Sequence, residues 1–490
     1  MTDRLAPTDR LAPAYRLAPI DTSTFADERA AARTEVDGGG DFTVIGSVVQ
    51  RSDARGHVTG RTEFFEDVAP ARLAHLKMHR SDRHHARILD VDLTEALAVP
   101  GVLRILTHAD IPNNLYTPLK LIGVGPDDEP ILAVDKVRYL GEPICAVVAE
   151  TEAAALEGAA RIRVAYEDLP PVFDVEEALK EGAPLVNEYH GQNHFIYEGH
   201  HCRRIRFGDV EAAFARADHV FEWRYQSAPI EQAPTETTGC VVVPQADGRL
   251  RIHSDTQACF FTLDNTALIL ETPFNKLRIV GGTVGGGFGG KVDVVVEPVA
   301  CVAAMAADRP VKFVYDRAEE MQVSSPRAAE RIYIKDAVMA DGRIIGRKVT
   351  LYVDAGAYAR HTPYGTTKAA AHLPGPYSIP NVWADCHCVF TNRTPSSAMR
   401  GFGVTIADFA LESQMDRIAR ALDLDPLRLR LLNAYRDGDI KAHRKVAEGT
   451  ALVEVIQKAA EMAGHELPEA YRRMSSTTRD TTRDTTREGL

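Results

Sequence analysis

Residues 281–291 read Gly-Gly-Thr-Val-Gly-Gly-Gly-Phe-Gly-Gly-Lys, and this stretch carries the strongest structural signal in the chain. Glycine has no Cβ, so the backbone N–H groups of such a run can approach a bound anion closely. A strand-like run at residues 277–280 precedes the loop, and an apolar, alanine-rich run at residues 292–307 favours a buried helix after it. We therefore predict a cradle for a phosphate or oxo-anion, with a helix N-terminus directed at the anion.

Two common nucleotide-binding motifs overlap this loop. Three of its glycines satisfy G-x-G-x-x-G, but the nearest acidic residue, Asp308, does not lie where a βαβ unit would place a ribose-binding carboxylate. The glycines and Lys291 also satisfy most of a Walker A pattern, but Val292 stands where Ser or Thr must bind magnesium. A nucleotide-dependent dehydrogenase is therefore kept only as an alternative.

A second motif, Ser-Ala-Met-Arg-Gly-Phe-Gly, occupies residues 397–403. The planar guanidinium of Arg400 could clamp an oxygen-bearing group, and the ring of Phe402 could stack on a flat substrate. An arginine in a plain surface loop is the alternative that the motif alone leaves open. The two motifs together predict a site for an anionic group beside an aromatic substrate.

Together, the string Gly-Gly-Gly-Phe-Gly-Gly-Lys and the Arg-Gly-Phe-Gly loop resemble the molybdenum hydroxylase family, which includes xanthine dehydrogenase, aldehyde oxidase and nicotinate dehydrogenase. Further segments resemble the family in the same order along the chain: residues 60–67, 85–88, 231–236, 254–257 and 354–358. The resemblance implies an α+β protein. It would have an N-terminal α/β hammerhead domain followed by the first part of a molybdopterin-binding domain.

The resemblance also implies which residues form the site. In the family, the backbone around the loop Phe faces the molybdenum centre, so cofactor contacts are expected from Gly286, Gly287, Phe288, Gly289 and Gly290. Gln232, Gln257 and Arg400 are expected to join them. Arg400 and Phe402 would contact substrate, and Lys368 would orient an anionic group. The metal would be held through molybdopterin, with no side-chain ligand.

Three departures from the family narrow the expected substrate. Purine-oxidising members carry a Glu directly after the loop Lys, where this chain has Val292. They also carry an Arg where this chain has Lys368, which keeps the charge but loses the planar fork. The carbon-monoxide branch has a Cys in the second loop, but Ser396, Ser397 and Met399 occupy that region here. We therefore expect neither a purine nor carbon monoxide as substrate.

The family's general base is a Glu in a Gly-x-Gly-Glu loop, and the sequence contains no such motif. The layout resembles split nicotinate dehydrogenase, so we expect a second molybdopterin subunit to supply the Glu and this chain to be inactive alone. The expected cofactor is molybdenum with molybdopterin as the cytosine dinucleotide. FAD and [2Fe-2S] clusters are expected on an FAD subunit and an iron–sulfur subunit.

The expected reaction is hydroxylation of an aromatic N-heterocycle (nicotinate-like) or an aldehyde with oxygen from water. The alternatives are a non-catalytic scaffold or assembly protein with a degenerate cofactor domain, and a xanthine dehydrogenase subunit.

Composition limits the partners and the compartment. A net charge of −12 over 490 residues argues against a broad nucleic-acid-binding surface. No run approaches the about 20 apolar residues of a membrane span, and the first residues lack a secretory apolar core, so a cytoplasmic protein without membrane attachment is expected. The seven cysteines are scattered, and Cys386-His387-Cys388 is interpreted as alternating side chains on a strand rather than a metal site.

The domain organisation follows from repeats and turn signals. Short tandem repeats at both ends cannot bury an apolar face, so residues 1–40 and 471–490 are predicted to be disordered tails. Turn residues between 170 and 190 mark a boundary between a hammerhead domain, 41–175, and the first half of a molybdopterin-binding domain, 185–470. Among the predicted elements are strands at residues 44–49, 132–137, 144–149 and 383–389 and helices at residues 151–160, 209–217 and 406–422.

Overall fold

The computed structural model describes residues 49–120, 123–294 and 296–477. It divides into two compact units, Met1–Thr62 and Glu63–Leu490. In the described part of the first unit, α1 (Ala54–Val58) is a short helix. All other elements belong to the second unit, and its mixture of helices with largely antiparallel sheets confirms the α+β class.

The second unit contains a seven-stranded sheet. One of its strands, β1 (Ala74–Arg80), pairs in parallel with β14 (Val311–Val314), in register from Ala74 with Val311. On its other side β1 is antiparallel to β7 (Pro143–Ala149). Sheet neighbours therefore come from distant parts of the chain. The strands, in order across the sheet, are β13 (Leu277–Gly281), β12 (Leu250–Ser254), β11 (Gly239–Pro244), β14 (Val311–Val314), β1 (Ala74–Arg80), β7 (Pro143–Ala149) and β3 (Val102–Leu106).

This sheet is covered on both faces at β7. Ala146 and Val148 belong to one apolar core, whereas Cys145 and Val147, which point the opposite way, belong to another. The first core also contains α7 (Glu297–Ala307), and the second contains Ala159 of α3 (Glu152–Arg161). Burial on both sides explains why β7 is apolar throughout rather than alternating.

A five-stranded sheet forms the other large layer. Its strands, in order, are β10 (His219–Gln226), β15 (Glu330–Val338), β16 (Ile344–Gly356), β17 (Val382–Phe390) and β9 (Arg203–Phe207). One face packs under α9 (Thr362–His372) and α10 (Val404–Ala421), because Ile332 and Leu351 share an apolar core with Ala369 and Ala407. These two helices carry or adjoin several of the predicted site residues.

Two smaller sheets and short helices complete the second unit. The strands are β6 (Lys136–Val137), β2 (Ala86–Asp92) and β8 (Arg163–Asp168) in one sheet, and β4 (Leu115–Tyr116) and β5 (Glu129–Pro130) in the other. The remaining α-helices are α2 (Thr94–Leu97), α4 (Val175–Ala178), α5 (Val210–Arg216), α6 (Cys259–Ile269), α8 (Arg317–Val323), α11 (Pro426–Asn433), α12 (Leu452–Met462) and α13 (Glu469–Arg472).

Most predicted elements are confirmed, and local chemistry explains their ends. Thr151 caps α3 by accepting from the amide of Ala154, and Asp209 caps α5 in the same way. The strand prediction for Cys386-His387-Cys388 is also confirmed: both cysteines are buried, and His387 stacks on Tyr352 from the neighbouring strand.

Two element predictions are wrong in extent. The helix expected from residue 292 begins at Glu297, because Pro298 suits the first helical turn, and residues 292–294 run as irregular chain. No helix N-terminus therefore follows the glycines directly. The strand expected at residues 132–137 survives only as Lys136–Val137, because Ile131, Leu132 and Ala133 are buried in a turn-rich connection.

The predicted tails and the predicted domain boundary are tested by the structure to different extents. The strand expected at residues 44–49 and the tail 1–40 lie outside the described residues, apart from Val49. Residues 471–477, expected in the C-terminal tail, are ordered: Tyr471 and Met474 pack on the core of α12, and buried Ser476 bonds to Glu454. The division into domains near residues 170–190 stays a prediction, and the seven-stranded sheet takes strands from both sides of it.

A search of residues 49–120, 123–294 and 296–477 finds no helix with both the length and the apolarity to cross a membrane.

Candidate functional site

The glycine loop (residues 282–291) has a backbone that only glycine tolerates at several points. Gly286 and Gly289 have φ angles of +105° and +102°. A Cβ on Gly287 would lie 2.4 Å from Gln257 Oε1, and one on Gly289 would lie 2.7 Å from the carbonyl oxygen of Ala398. The glycines therefore allow two other segments to press against the loop.

Three consecutive amides of this loop are free to bind a ligand. The N–H groups of Gly286, Gly287 and Phe288 donate to no atom of the described residues. Phe288 is itself left-handed, with a φ of +51°, and its side chain is half exposed. A strained non-glycine residue among free amides is typical of a functional concavity that binds anions.

Two glutamines flank the free amides. Gln257 Oε1 accepts from the amide of Gly289 at 2.9 Å and from that of Lys291 at 3.3 Å, which fixes the end of the loop. Gln232 is buried, and its Nε2 donates to the carbonyls of Ser325 at 2.7 Å and Ala398 at 2.9 Å. Its Oε1 has no hydrogen-bond partner in the described part of the chain, so this acceptor is available to a donor on a bound group.

The side chain of Lys291 is buried beneath the glycine loop, where a ligand cannot reach it. This side chain is 1% exposed, and its Nζ lies 2.5 Å from Asp255 Oδ2 and 2.8 Å from the carbonyl oxygen of Glu236. Burial raises the pKa of Asp255 to about 7, although the charge of Lys291 opposes the shift. Because this lysine is already paired, it cannot act as the phosphate-binding lysine of a Walker A loop.

The arginine loop (residues 398–403) lies directly against the glycine loop. The amide of Arg400 donates to the carbonyl of Phe288 at 2.9 Å. The guanidinium of Arg400 is exposed and forms no ion pair with any described residue. Phe402 has a φ of +43° between two left-handed glycines, Gly401 and Gly403. The backbone of the predicted Arg400 thus lies beside the free amides, and its guanidinium is not neutralised by a described carboxylate.

Phe402 and Lys368 meet through an aromatic residue on α9. The ring of Tyr364 lies 5.6 Å from that of Phe402, and the Nζ of Lys368 lies 5.1 Å from the centre of the Tyr364 ring. Tyr364 and Lys368 are both exposed. These three side chains form an aromatic wall with a cation at its outer end.

A short segment, residues 325–327, ties the surrounding strands together. Arg327 pairs with Ile230 through two backbone hydrogen bonds, and its side chain donates to the carbonyl of Arg400. Ser325 Oγ donates to Asp293 at 2.6 Å and accepts from Arg360 at 2.7 Å. The Gln232 segment, the arginine loop and the chain after the glycine loop are therefore held by one piece of backbone.

The structure brings the predicted residues into one region. The glycine loop contacts Gln232, Gln257 and the Arg400 backbone directly. Phe402, in the arginine loop, contacts Tyr364 of α9, and Lys368 reaches this group through Tyr364. Sequence reasoning missed the polar residues behind them, which are Glu236, Asp255, Asp293, Ser325, Arg327 and His361. Glu236 and Asp255 lie in the family-like segments 231–236 and 254–257, and Asp293 lies close to Lys291 in the chain. Ser325, Arg327 and His361 come from distant segments and gave no signal.

Comparison with known proteins identifies the chemistry that such a site serves elsewhere. Residues 190–434 match the family model for the molybdopterin cofactor-binding domain. Residues 59–170 match that for the aldehyde oxidase and xanthine dehydrogenase a/b hammerhead domain. The chain is 35% identical over 426 residues to the nicotinate dehydrogenase large molybdopterin subunit of Eubacterium barkeri, and this match covers 87% of the chain and 97% of that subunit.

Other relatives are longer than this chain. The nicotine 6-hydroxylase large subunit of Paenarthrobacter nicotinovorans is 32% identical, with 89% of this chain and 54% of that protein covered. The solved structure of aldehyde oxidoreductase from Desulfovibrio gigas superimposes with a TM-score of 0.79 at 31% identity, covering 84% of this chain and 46% of that one. The chain thus spans nearly all of the first relative but about half of these two.

The residues present fit a molybdopterin group. Its oxygen-rich, anionic character requires N–H donors, and residues 286–288 present three free ones. The Oε1 of Gln232, which has no partner among the described residues, adds an acceptor, and Arg400, whose backbone contacts the loop, adds an exposed cation. No group of three His, Cys, Asp or Glu side chains suited to a metal ion occurs among the described residues.

Proposed function

The chain belongs to the molybdopterin-binding oxidoreductase family of xanthine dehydrogenase and aldehyde oxidase, and we propose that it is the cofactor-binding subunit of a multi-subunit hydroxylase. The proposed reaction is hydroxylation of an aromatic N-heterocycle, or of an aldehyde, with oxygen derived from water. The observation that carries the proposal is the set of three free amides at residues 286–288, placed beside an unpaired Arg400.

We propose that the glycine-loop backbone and the two glutamines hold molybdenum with molybdopterin in its cytosine dinucleotide form. When bound, this group supplies the oxidising power and the water-derived oxygen. The chain's own part would be to orient it: the amides of residues 286–288 would donate to its oxygens, and Gln232 would offer an acceptor. Arg400 would clamp an oxygen of the cofactor or the substrate.

The substrate part of the proposal rests on the aromatic wall. Phe402 and Tyr364 offer ring faces to a planar substrate, and Lys368 offers a cation to a carboxylate. A heteroaromatic carboxylate of the nicotinate kind satisfies both features, and the relative from Eubacterium barkeri is named for nicotinate. Val292, which cannot hydrogen-bond a purine, makes a xanthine dehydrogenase subunit the weaker candidate.

The proposed partners supply what the sequence does not contain. A second molybdopterin subunit would bring the Glu that acts as general base, because no Gly-x-Gly-Glu motif occurs in residues 1–490. The description of the first relative as a large subunit supports such a division. FAD and [2Fe-2S] clusters would sit on two further subunits and carry electrons away from the site.

Purification of the native complex tests this proposal. We expect about one molybdenum per copy of this chain, copurifying subunits, and hydroxylation of nicotinate with label from H₂¹⁸O.

Lys368→Met should raise KM for nicotinate about tenfold with little change in kcat, because it removes a contact to the carboxylate that is equally strong in the ground state and the transition state. Lys458→Met, an exposed lysine on α12, is the matched control. A complex without molybdenum would contradict the proposal and favour a scaffold or assembly protein.

A further inference from the structure

A buried acid–imidazole pair lies behind the arginine loop, and nothing in the proposed function uses it. Nδ1 of His361 lies 2.6 Å from Oδ1 of Asp293, and the side chain of Asp293 is 1% exposed. We propose that His361, oriented by Asp293, is a substrate-recognition residue that donates a hydrogen bond to an acceptor on the aromatic ring of the substrate. The acceptor is a ring nitrogen or a ring carboxylate. This inference rests on the proposed function.

The pair is built to fix one imidazole nitrogen and leave the other open. Oδ1 of Asp293 bonds Nδ1 of His361, and Oδ2 of Asp293 accepts from Ser325 Oγ at 2.6 Å. Because both oxygens are engaged, the carboxylate group is held in one orientation. Ser397 Oγ also lies 3.4 Å from Nδ1. Nε2 of His361 has no hydrogen-bond partner among the described residues, and the side chain keeps 12% exposure. Nε2 is therefore available to a bound group.

His361 lies on the face of α9 that carries the proposed substrate wall. His361 caps the N-terminus of α9, and Tyr364 and Lys368 follow three and seven residues later, so all three share one helix face. Tyr364 contacts the Phe402 ring, and His361 contacts Ser397 next to the arginine loop. The face therefore runs from a buried imidazole through an aromatic ring to an exposed cation.

The charges around Asp293 keep this carboxyl ionised. Burial opposes ionisation of Asp293, but the charge and hydrogen bond of His361, helped by Arg360 and Ser325, lower the pKa of this carboxyl to about 2. Asp293 therefore stays an anion and holds Nδ1 of His361 in place. The guanidinium of Arg360 is itself paired with Glu129 at 2.8 Å. On the opposite side α6 presents the apolar ring of Phe261, 5.2 Å from the imidazole.

Binding of three probes to the native complex tests the inference independently of turnover. The probes are nicotinate, 3-methylpyridine, which keeps only the ring nitrogen, and benzoate, which keeps only the carboxylate. Calorimetric titration measures the affinity of each probe. The variants are His361→Leu, which removes the donor, and His361→Gln, which keeps a neutral one. His372→Gln is the control, since His372 lies at the exposed end of the same helix and bonds only the carbonyl of Lys368.

We expect His361→Leu to weaken nicotinate binding about tenfold, and His361→Gln to restore part of the affinity. A parallel loss for 3-methylpyridine would identify the ring nitrogen as the acceptor, and a parallel loss for benzoate would identify the carboxylate. His372→Gln should behave like wild type.

Two results would overturn the inference. One is unchanged affinity of His361→Leu for all three probes; the other is failure of the wild-type complex to bind any of them. Molybdenum content and the melting temperature of each variant separate a lost contact from a lost fold, and His361→Gln keeps the question open to test if His361→Leu does not assemble. A wild-type complex that lacks molybdenum and turnover would instead defeat the proposed function itself.

Discussion

Two glycines of the glycine loop differ in what an added methyl group would meet. A Cβ on Gly289 would press on the carbonyl oxygen of Ala398, at 2.7 Å, and would sit on a backbone with a φ of +102°. A Cβ on Gly282 would meet nothing within 4 Å, and Gly282 is not among the residues with positive φ. Only the first of these glycines is therefore required by its surroundings.

Gly289→Ala should push the glycine loop and the arginine loop apart, because backbone on both sides cannot yield easily. The expected cost is about 1–3 kcal/mol of strain, with a lowered melting temperature and reduced molybdenum content of the complex. Gly282→Ala is the control and should be close to neutral. Equal molybdenum content in the two variants would contradict the close packing of these loops.

Glu330, at the start of β15, is a buried carboxyl next to the segment that holds the arginine loop. Burial raises its pKa to about 8, although nearby Arg327 opposes the shift. At pH values between the ordinary pKa of a glutamic acid and about 8, Glu330 stays protonated in the folded protein but is already ionised in the unfolded chain. Stability from this group is therefore present at low pH and is lost as the pH rises towards about 8.

Glu330→Gln should remove that loss, since glutamine keeps the shape without the ionisation. The melting temperature of the variant should exceed that of wild type at pH 8, with an advantage that shrinks steadily towards pH 5. Glu222→Gln, on the exposed surface of β10, should show no such trend. A difference between Glu330→Gln and wild type that stays constant over this pH range would mean that Glu330 is ionised in the folded protein.

At the scale of elements, β15 and β16 are joined by an ion pair as well as by their backbone ladder. Arg347 and Asp336 are both 0% exposed, and Nε of the arginine lies 2.7 Å from the carboxylate. Removing one partner leaves the other as an uncompensated buried charge, whereas replacing both removes the desolvation penalty together with the attraction.

Arg347→Met should therefore cost about 3–5 kcal/mol of unfolding free energy, and the double change Arg347→Met with Asp336→Leu should recover a large part of it. Urea unfolding followed by circular dichroism measures both, and the two single variants with the double variant form a complete cycle. Additive losses in the double variant would mean that the pair does not act as a unit.

At the scale of the whole molecule, the expected domain boundary near residues 170–190 does not coincide with a gap between apolar cores. β1 lies between β7, from the same side of that boundary, and β14, from the other side. The core that contains Leu76 also contains Val299 and Phe313. A fragment that ends near residue 175 would leave this core open.

Fragments 63–175 and 185–477, expressed separately, should each fail to fold fully, and their coexpression should restore the sheet. Hydrogen exchange of β14 is the measurement: its amides should be protected in the full chain and in the recombined fragments but not in 185–477 alone. Native protection of β14 in the isolated fragment would show that the later region folds independently.

The family, the fold class and most helices and strands could be predicted from the sequence, and the comparisons confirm the family. The glycine string and Arg-Gly-Phe-Gly identify a backbone requirement that neighbouring residues impose locally. Caps such as Thr151 and Asp209 are equally local, because they act on amides within one helical turn. The roles assigned to Arg400, Phe402 and Lys368 stay predictions.

Tertiary structure alone decided what lies behind the glycine loop. Lys291, which the motif leaves open as a ligand, is buried against Asp255 and Glu236. His361 meets Asp293 across 68 residues, and β1 meets β14 across still more chain. Such contacts depend on which distant strands pair and which helix covers them, and no local pattern encodes that choice. The sequence thus determined a loop that can hold an anion, and the packing determined which charges surround it.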